Sequence, residues 1–208
     1  MREYVSDGIM RRFIAGCRRA AGYGLMRCSS GNISWRVGDD LLLIKSSRAW
    51  LSDLTPDGVS VCRISDGVTL GKRKPSVEIR FHAGILRTRP DVNVVMHFQT
   101  PFAATVACRR RRMPNFFVIP EIPYYIGDIV AVPYHAPGTQ DLAAAVTGGM
   151  KDHDMVIMRN HGQVTVGKDF NHVIQNAVFF ELACEIIVRN GGRAQPLSAD
   201  AVRQLTMA

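Results

Sequence analysis

The sequence predicts an α/β fold in which a mixed, mainly antiparallel sheet is layered between helices. Three observations predict it. Segments with apolar residues at helical spacing alternate with short apolar runs of strand length. Several of those runs are joined by tight turns, at Gly38-Asp39-Asp40, Ser65-Asp66-Gly67 and Asn160-His161-Gly162, and tight turns pair neighbouring strands antiparallel. No GxGxxG follows the first strand and no GxxxxGK[ST] occurs, which leaves little for a Rossmann or P-loop reading. The 208 residues show no composition break, long linker or internal repeat, so 1–208 is read as a single domain.

The elements follow in order. Ile9, Met10, Phe13, Ile14 and Cys17 recur at helical spacing within 2–22, and Gly22 and Gly24 end that helix. Residues 25–31 are a small polar loop. Residues 32–37 and 41–45 form one strand pair, and 59–64 with 68–70 a second. A helix starts near Ser76, just after Pro75, and runs to Thr88. Residues 92–97 are a short buried strand. Thr100-Pro101 then opens a helix, with Thr as N-cap and Pro at the first helical position. Pro120, Pro123 and Pro133 break 116–133 into short strands. Gly138-Thr139 opens a helix to Val146, residues 155–158 and 163–166 are strands, and a long helix covers 170–189.

Composition narrows the function. An apolar content of 47% and a mean hydropathy of +0.01 exclude a chain that is mainly disordered. No apolar stretch approaches the roughly 20 residues of a membrane-spanning helix, and no secretory leader is visible. The net charge is +8, carried by 21 Arg and 5 Lys, which favours phosphate-bearing partners. The Arg109–Arg112 run has no interleaved aromatics and reads as a solvated loop or subunit contact rather than a nucleic-acid patch. The five cysteines are scattered, with no CxxC, and fit reduced residues of a cytoplasmic protein.

Four places carry candidate chemistry. Ser29-Ser30-Gly31-Asn32, Lys45-Ser46-Ser47-Arg48 and the helix start at Lys74-Pro75-Ser76-Val77-Glu78 each offer unsatisfied backbone N–H groups, hydroxyls or charge to an anion. Singly, each is an ordinary turn or cap. His97 and His161 stand at predicted strand ends, and with Glu78 they make the donor set of a divalent-metal site. The alternative is a pair of satisfied turn histidines. His82, one helical turn after Glu78, reads as a core histidine or one behind a ligand, and His135, His153 and His172 as exposed.

Taken in order, Ser-Gly-Asn32-Ile-Ser34, Leu-Thr-Pro-Asp-Gly58, Lys-Pro-Ser76-Val-Glu78, His82, Val-Val-Met-His97-Phe-Gln99-Thr-Pro-Phe and Asn160-His161-Gly162 resemble the class II aldolase/adducin family. That family includes L-fuculose-1-phosphate aldolase and L-ribulose-5-phosphate 4-epimerase. The resemblance runs from about residue 10 to 190. It implies a three-layer α-β-α fold and cleavage of a ketose 1-phosphate, L-fuculose-1-phosphate-like, to dihydroxyacetone phosphate and an aldehyde through an enediolate. It implies a metal held by His97, Gln99, His161 and Glu78, with Glu78 also the base. The phosphate cradle becomes Gly31, Asn32, Ser46, Ser47 and Ser76. A phenol, Tyr124 or Tyr125, becomes the acid at the leaving oxygen, and the assembly a homotetramer with sites between subunits. Epimerase, dehydratase or decarboxylase chemistry, or a non-catalytic adducin-like binding module, are the alternatives on this scaffold.

Three residues depart from the family pattern. Gln99 replaces the second histidine of His-x-His, so zinc is joined by Mn²⁺ and Mg²⁺ as candidate ions, because an amide oxygen is a harder, weaker donor than imidazole. Val77 replaces a phosphate-binding serine. Arg48 replaces a glycine.

Overall fold

The computed structural model describes residues 4–110 and 112–207. Seven strands form one sheet in the order β3-β2-β1-β4-β7-β6-β5. They are β1 (Asn32–Arg36), β2 (Leu41–Lys45), β3 (Val59–Arg63), β4 (Val94–Phe98), β5 (Ile129–Val132), β6 (Met155–Met158) and β7 (Gly162–Gly167). All neighbours are antiparallel except β5 and β6, which are parallel.

Strand periodicity divides the core in two. Leu43, Met96, Phe98 and Ile157 point to one face, where α1 (Asp7–Gly22), α3 (Pro101–Ala107) and α5 (Phe170–Arg189) cover them. Leu42, Ile44, Val95, Val156 and Val164 point to the other, beneath α2 (Ile79–Thr88) and α4 (Gln140–Gly149). The result is the three-layer arrangement with a mixed, mainly antiparallel sheet that the sequence implies. Among the described residues no helix is long and apolar enough to cross a membrane.

Several boundaries differ from the sequence expectation, each for a local reason. The first helix starts at Asp7 because the Ser6 hydroxyl caps the Ile9 N–H; residues 2–3 of the expected helix lie outside the described residues, as does Arg111 of the arginine run. Residues 68–70 make only a bridge, Cys62 to Thr69, instead of a strand. The helix expected from Ser76 begins at Ile79, since the Ser76 N–H is committed to the Lys45 carbonyl at 3.1 Å. Thr100 stands at the N-cap of α3 but does not cap it. Its hydroxyl donates to Glu181 of α5, whose carboxylate accepts the Phe102 and Ala103 N–H groups at 2.9 and 2.8 Å.

The proline-broken stretch holds one strand, β5, preceded by a π-helical turn at Ile122–Ile126. Pro120 and Pro123 have no N–H to give a sheet, and the chain coils there instead. The sequence reading also omits α6 (Ala199–Thr206), which Ser198 caps through the Ala201 N–H. His135, His153 and His172 are half-buried rather than exposed.

Candidate active site

Two strands, a helix start and a turn bring the chemistry together on the α2/α4 face. Asn32 on β1 lies directly opposite His97 on β4, and His97 opposite Val164 on β7. Glu78 stands at the N-cap of α2, and His161 in the β6–β7 turn. That turn needs its residues. Asn160 sits at φ +54°, a left-handed conformation that Asn tolerates. A Cβ on Gly162 would lie 2.8 Å from the His97 ring and from the Phe98 carbonyl.

Glu78, His97 and His161 place their ligand atoms within 4.8 Å of one another. Glu78 Oε1 is 3.3 Å from His161 Nε2, and Oε2 is 3.6 Å from His97 Nε2. The His97 Nδ1–H donates to the Gln163 carbonyl at 2.9 Å, which leaves Nε2 as the lone-pair nitrogen facing Glu78. Burial, with His97 beside it, holds the His161 pKa below its ordinary value and so favours the neutral, metal-ligating ring. Glu78 Oε1 is buried with no hydrogen-bond partner. An orphaned carboxylate oxygen among two imidazoles fits a divalent cation, which would satisfy it.

The same residues line a cavity of about 210 Å³ together with Gly31, Asn32, Ser47, Ser76, Gln99 and Arg48. The sequence-derived anion residues do converge, with qualifications. Asn32 contributes little free polarity, because its amide lies between Glu78 and His82. Ser46 lies outside the lining, its hydroxyl paired with Ser60 at 2.7 Å. Gln99 lines the cavity, and its amide nitrogen donates to the His161 carbonyl at 2.9 Å, so it braces the ligand turn. Tyr124 and Tyr125 are exposed on the π-helical turn, where they pack edge-on and Tyr125 stacks against Phe179; neither lines the cavity.

Two further contributors stand outside the site set that the family resemblance implies, the first of them within the Lys45-Ser46-Ser47-Arg48 stretch that the sequence singles out. Lys45 donates to the carbonyls of Ser29 and Gly31 and thereby holds the loop that enters β1. Burial lowers its pKa to about 8, against the opposing pull of Glu78. Its place at a strand end beside two serines was the available signal. The Gln163 carbonyl that orients His97 is a backbone group and leaves no mark in the sequence.

The family model for the class II aldolase and adducin N-terminal domain matches residues 11–188. The chain belongs to the class II aldolase/adducin family. It is 33% identical over 194 residues to the 5-methylthioribulose-1-phosphate/5-deoxyribulose-1-phosphate aldolase of Rhodospirillum rubrum, covering 92% of this chain and 86% of that one. It is 28% identical to a 3-oxo-tetronate 4-phosphate decarboxylase of Escherichia coli, over 79% of each chain. Among solved structures, YgbL from Klebsiella pneumoniae superposes with a TM-score of 0.88 at 25% identity, covering 97% of this chain and 99% of that one. An L-fuculose 1-phosphate aldolase superposes with a TM-score of 0.86 at 22% identity, covering 98% and 96%. Class II aldolases therefore share with this chain the whole sheet and its helical layers.

Proposed function

We propose that the protein is a metal-dependent sugar-phosphate aldolase that cleaves a ketose 1-phosphate to dihydroxyacetone phosphate and an aldehyde. The observation that carries this reading is the meeting of Glu78, His97 and His161 in one cavity with Gly31, Ser47 and Ser76. The name of the Rhodospirillum relative makes 5-deoxy- and 5-methylthioribulose 1-phosphate the first substrates to try, beside L-fuculose 1-phosphate.

His97, His161 and Glu78 would hold the divalent ion, with Gln99 at the edge of the site. When bound, the ion supplies electrostatic stabilisation to the negative charge that develops on the substrate oxygens. The remaining work falls to the chain. The Gly31 backbone and the Ser47 and Ser76 hydroxyls bind the phosphate and fix the sugar's direction. As the C3–C4 bond breaks, the C4 hydroxyl proton passes to Glu78, the aldehyde departs, and the bonding pair stays on C3 as an enediolate. Glu78, through the unpartnered Oε1, carries the proton to C3, a role that needs a carboxylate within reach of the carbon. The phenol that the family resemblance places at the leaving oxygen, Tyr124 or Tyr125, would come from a second copy, because both tyrosines lie outside the cavity of their own chain. On that reading the assembly is a homotetramer with sites between subunits. Five free cysteines support a cytoplasmic location.

The test is metal analysis of the purified protein combined with a cleavage screen on ketose 1-phosphates, read as release of dihydroxyacetone phosphate. A second reading, decarboxylation of a 3-oxo sugar-acid phosphate, has the support of the Escherichia coli relative. Release of CO₂ from such a substrate, with no ketose phosphate cleaved, selects it.

A further inference from the structure

The hydrogen bonds behind Glu78 form a chain of fixed polarity. The 2.8 Å contact between Asn32 and Glu78 Oε2 is made by the Asn32 Nδ2–H, the donor end of the amide. The Asn32 Oδ1 then faces the other way, onto His82 Nε2, which must carry the ring proton. His82 is fully buried and stacks on Phe81, with ring centroids 4.7 Å apart. Burial and the neighbouring His97 push its pKa well below the ordinary histidine value, so the ring is neutral and Nδ1 is an acceptor. The Ser34 hydroxyl donates to that Nδ1 at 2.7 Å. All three donors point from Ser34 toward Glu78.

The geometry follows from two periods. Asn32 and Ser34 share a face of β1, and Glu78 and His82 are one turn apart on α2. All four are at most 5% exposed, so water has no ready access to replace a missing partner. Without the His82 N–H, the Asn32 Oδ1 is buried and unpaired, and the amide that holds Glu78 is no longer pinned from behind.

We infer that His82 and Ser34 are positioning residues that act through Asn32 on Glu78, committing Oε2 to Asn32 and leaving Oε1 as the oxygen that exchanges the proton. The inference rests on the reading of Glu78 as metal ligand and base, and it gives that residue a defined orientation.

A double-mutant cycle on zinc affinity, measured by chelator competition, tests it. His82→Leu weakens zinc binding about 10–100-fold and lowers kcat by a similar factor, with a much smaller change in KM, as loss of a ligand-orienting partner does. His82→Gln, whose amide can donate to Asn32 and accept from Ser34, restores most of both. In a Glu78→Gln background, His82→Leu changes zinc affinity no further. Equal losses in the two backgrounds, or a His82→Gln no better than His82→Leu, overturn the inference and leave His82 as core packing. If His82→Leu does not fold, Ser34→Ala decides the question by the same comparison, with a smaller expected loss in the wild-type background and none beside Glu78→Gln. Zinc binding that depends on Glu78 but accompanies no cleavage of any ketose phosphate overturns the substrate reading alone. Zinc binding indifferent to Glu78 overturns both.

Discussion

At the inner end of the cavity two side chains and one turn are held from behind. His97 is fixed by the Gln163 carbonyl, Glu78 by Asn32, and the His161 turn by Gln99. At the outer end, Val77 is 51% exposed and Arg48 is an exposed residue at φ +63°. The inner end is braced by hydrogen bonds among buried groups, with Glu78 Oε1 and His161 Nδ1 left without a hydrogen-bond partner among them, and loss of a brace leaves a further polar atom unpaired. The outer end tolerates substitution, and two of the three departures from the family pattern, Val77 and Arg48, are found there. On the proposed function, the buried half of the site sets the reaction type and the half that meets solvent sets substrate choice.

The largest test of that contrast is Glu78→Gln. The substitution keeps size and removes the proton acceptor, so turnover at saturating metal falls by about 10²–10⁴-fold. Turnover equal to wild type would take Glu78 out of the mechanism. Gln99→His, which restores a second imidazole on β4's exit, tightens zinc binding by roughly tenfold, because imidazole is the better zinc donor. No gain in a chelator competition would mean that Gln99 serves the His161 turn alone.

Smaller effects belong to the phosphate end of the cavity, where Lys45 is buried and Val77 exposed. Lys45, with its pKa lowered to about 8, is charged at pH 7 and discharges above 8. KM for a phosphorylated substrate therefore climbs a few-fold as pH rises from 7 to 9, the cation beside the cradle being lost. Lys45→Arg keeps its charge throughout that range and flattens the climb; a flat wild-type profile contradicts the assignment. Val77→Ser adds one hydroxyl at the cavity edge and lowers KM by a factor of a few, about the worth of one solvent-exposed hydrogen bond, with kcat unchanged. Inhibition by inorganic phosphate, measured on both proteins, reads the same contact without turnover.

What the sequence made legible follows the same division. The long helix at Phe170–Arg189 and the strands at Leu41–Lys45 and Met155–Met158 were readable to the residue, because periodicity and flanking turns agree there. Residue type and place at element ends made Glu78, His97 and His161 a candidate set, and the family resemblance singled them out as ligands over a pair of satisfied turn histidines. Other features depend on partners distant in the chain. Glu181 caps α3 from about eighty positions away, and nothing near Thr100 announces it. Residue type also does not give side-chain direction. Ser46 and Ser47 are the same residue, yet one faces Ser60 and the other the cavity. For Asn32 and Ser34 the signal existed, since two polar residues at strand period two share a face, and α2 supplies Glu78 and His82 at helical spacing opposite them.

On the proposed function, Glu78, His97 and His161 form one divalent-metal site on which the activity depends. The measurement that meets it most directly is metal content per chain for the wild-type protein and His97→Ala, loaded and desalted side by side. The expected result is one ion per wild-type chain and little or none in His97→Ala, with a circular dichroism spectrum that is unchanged. A fully loaded His97→Ala with the wild-type metal content would contradict the account.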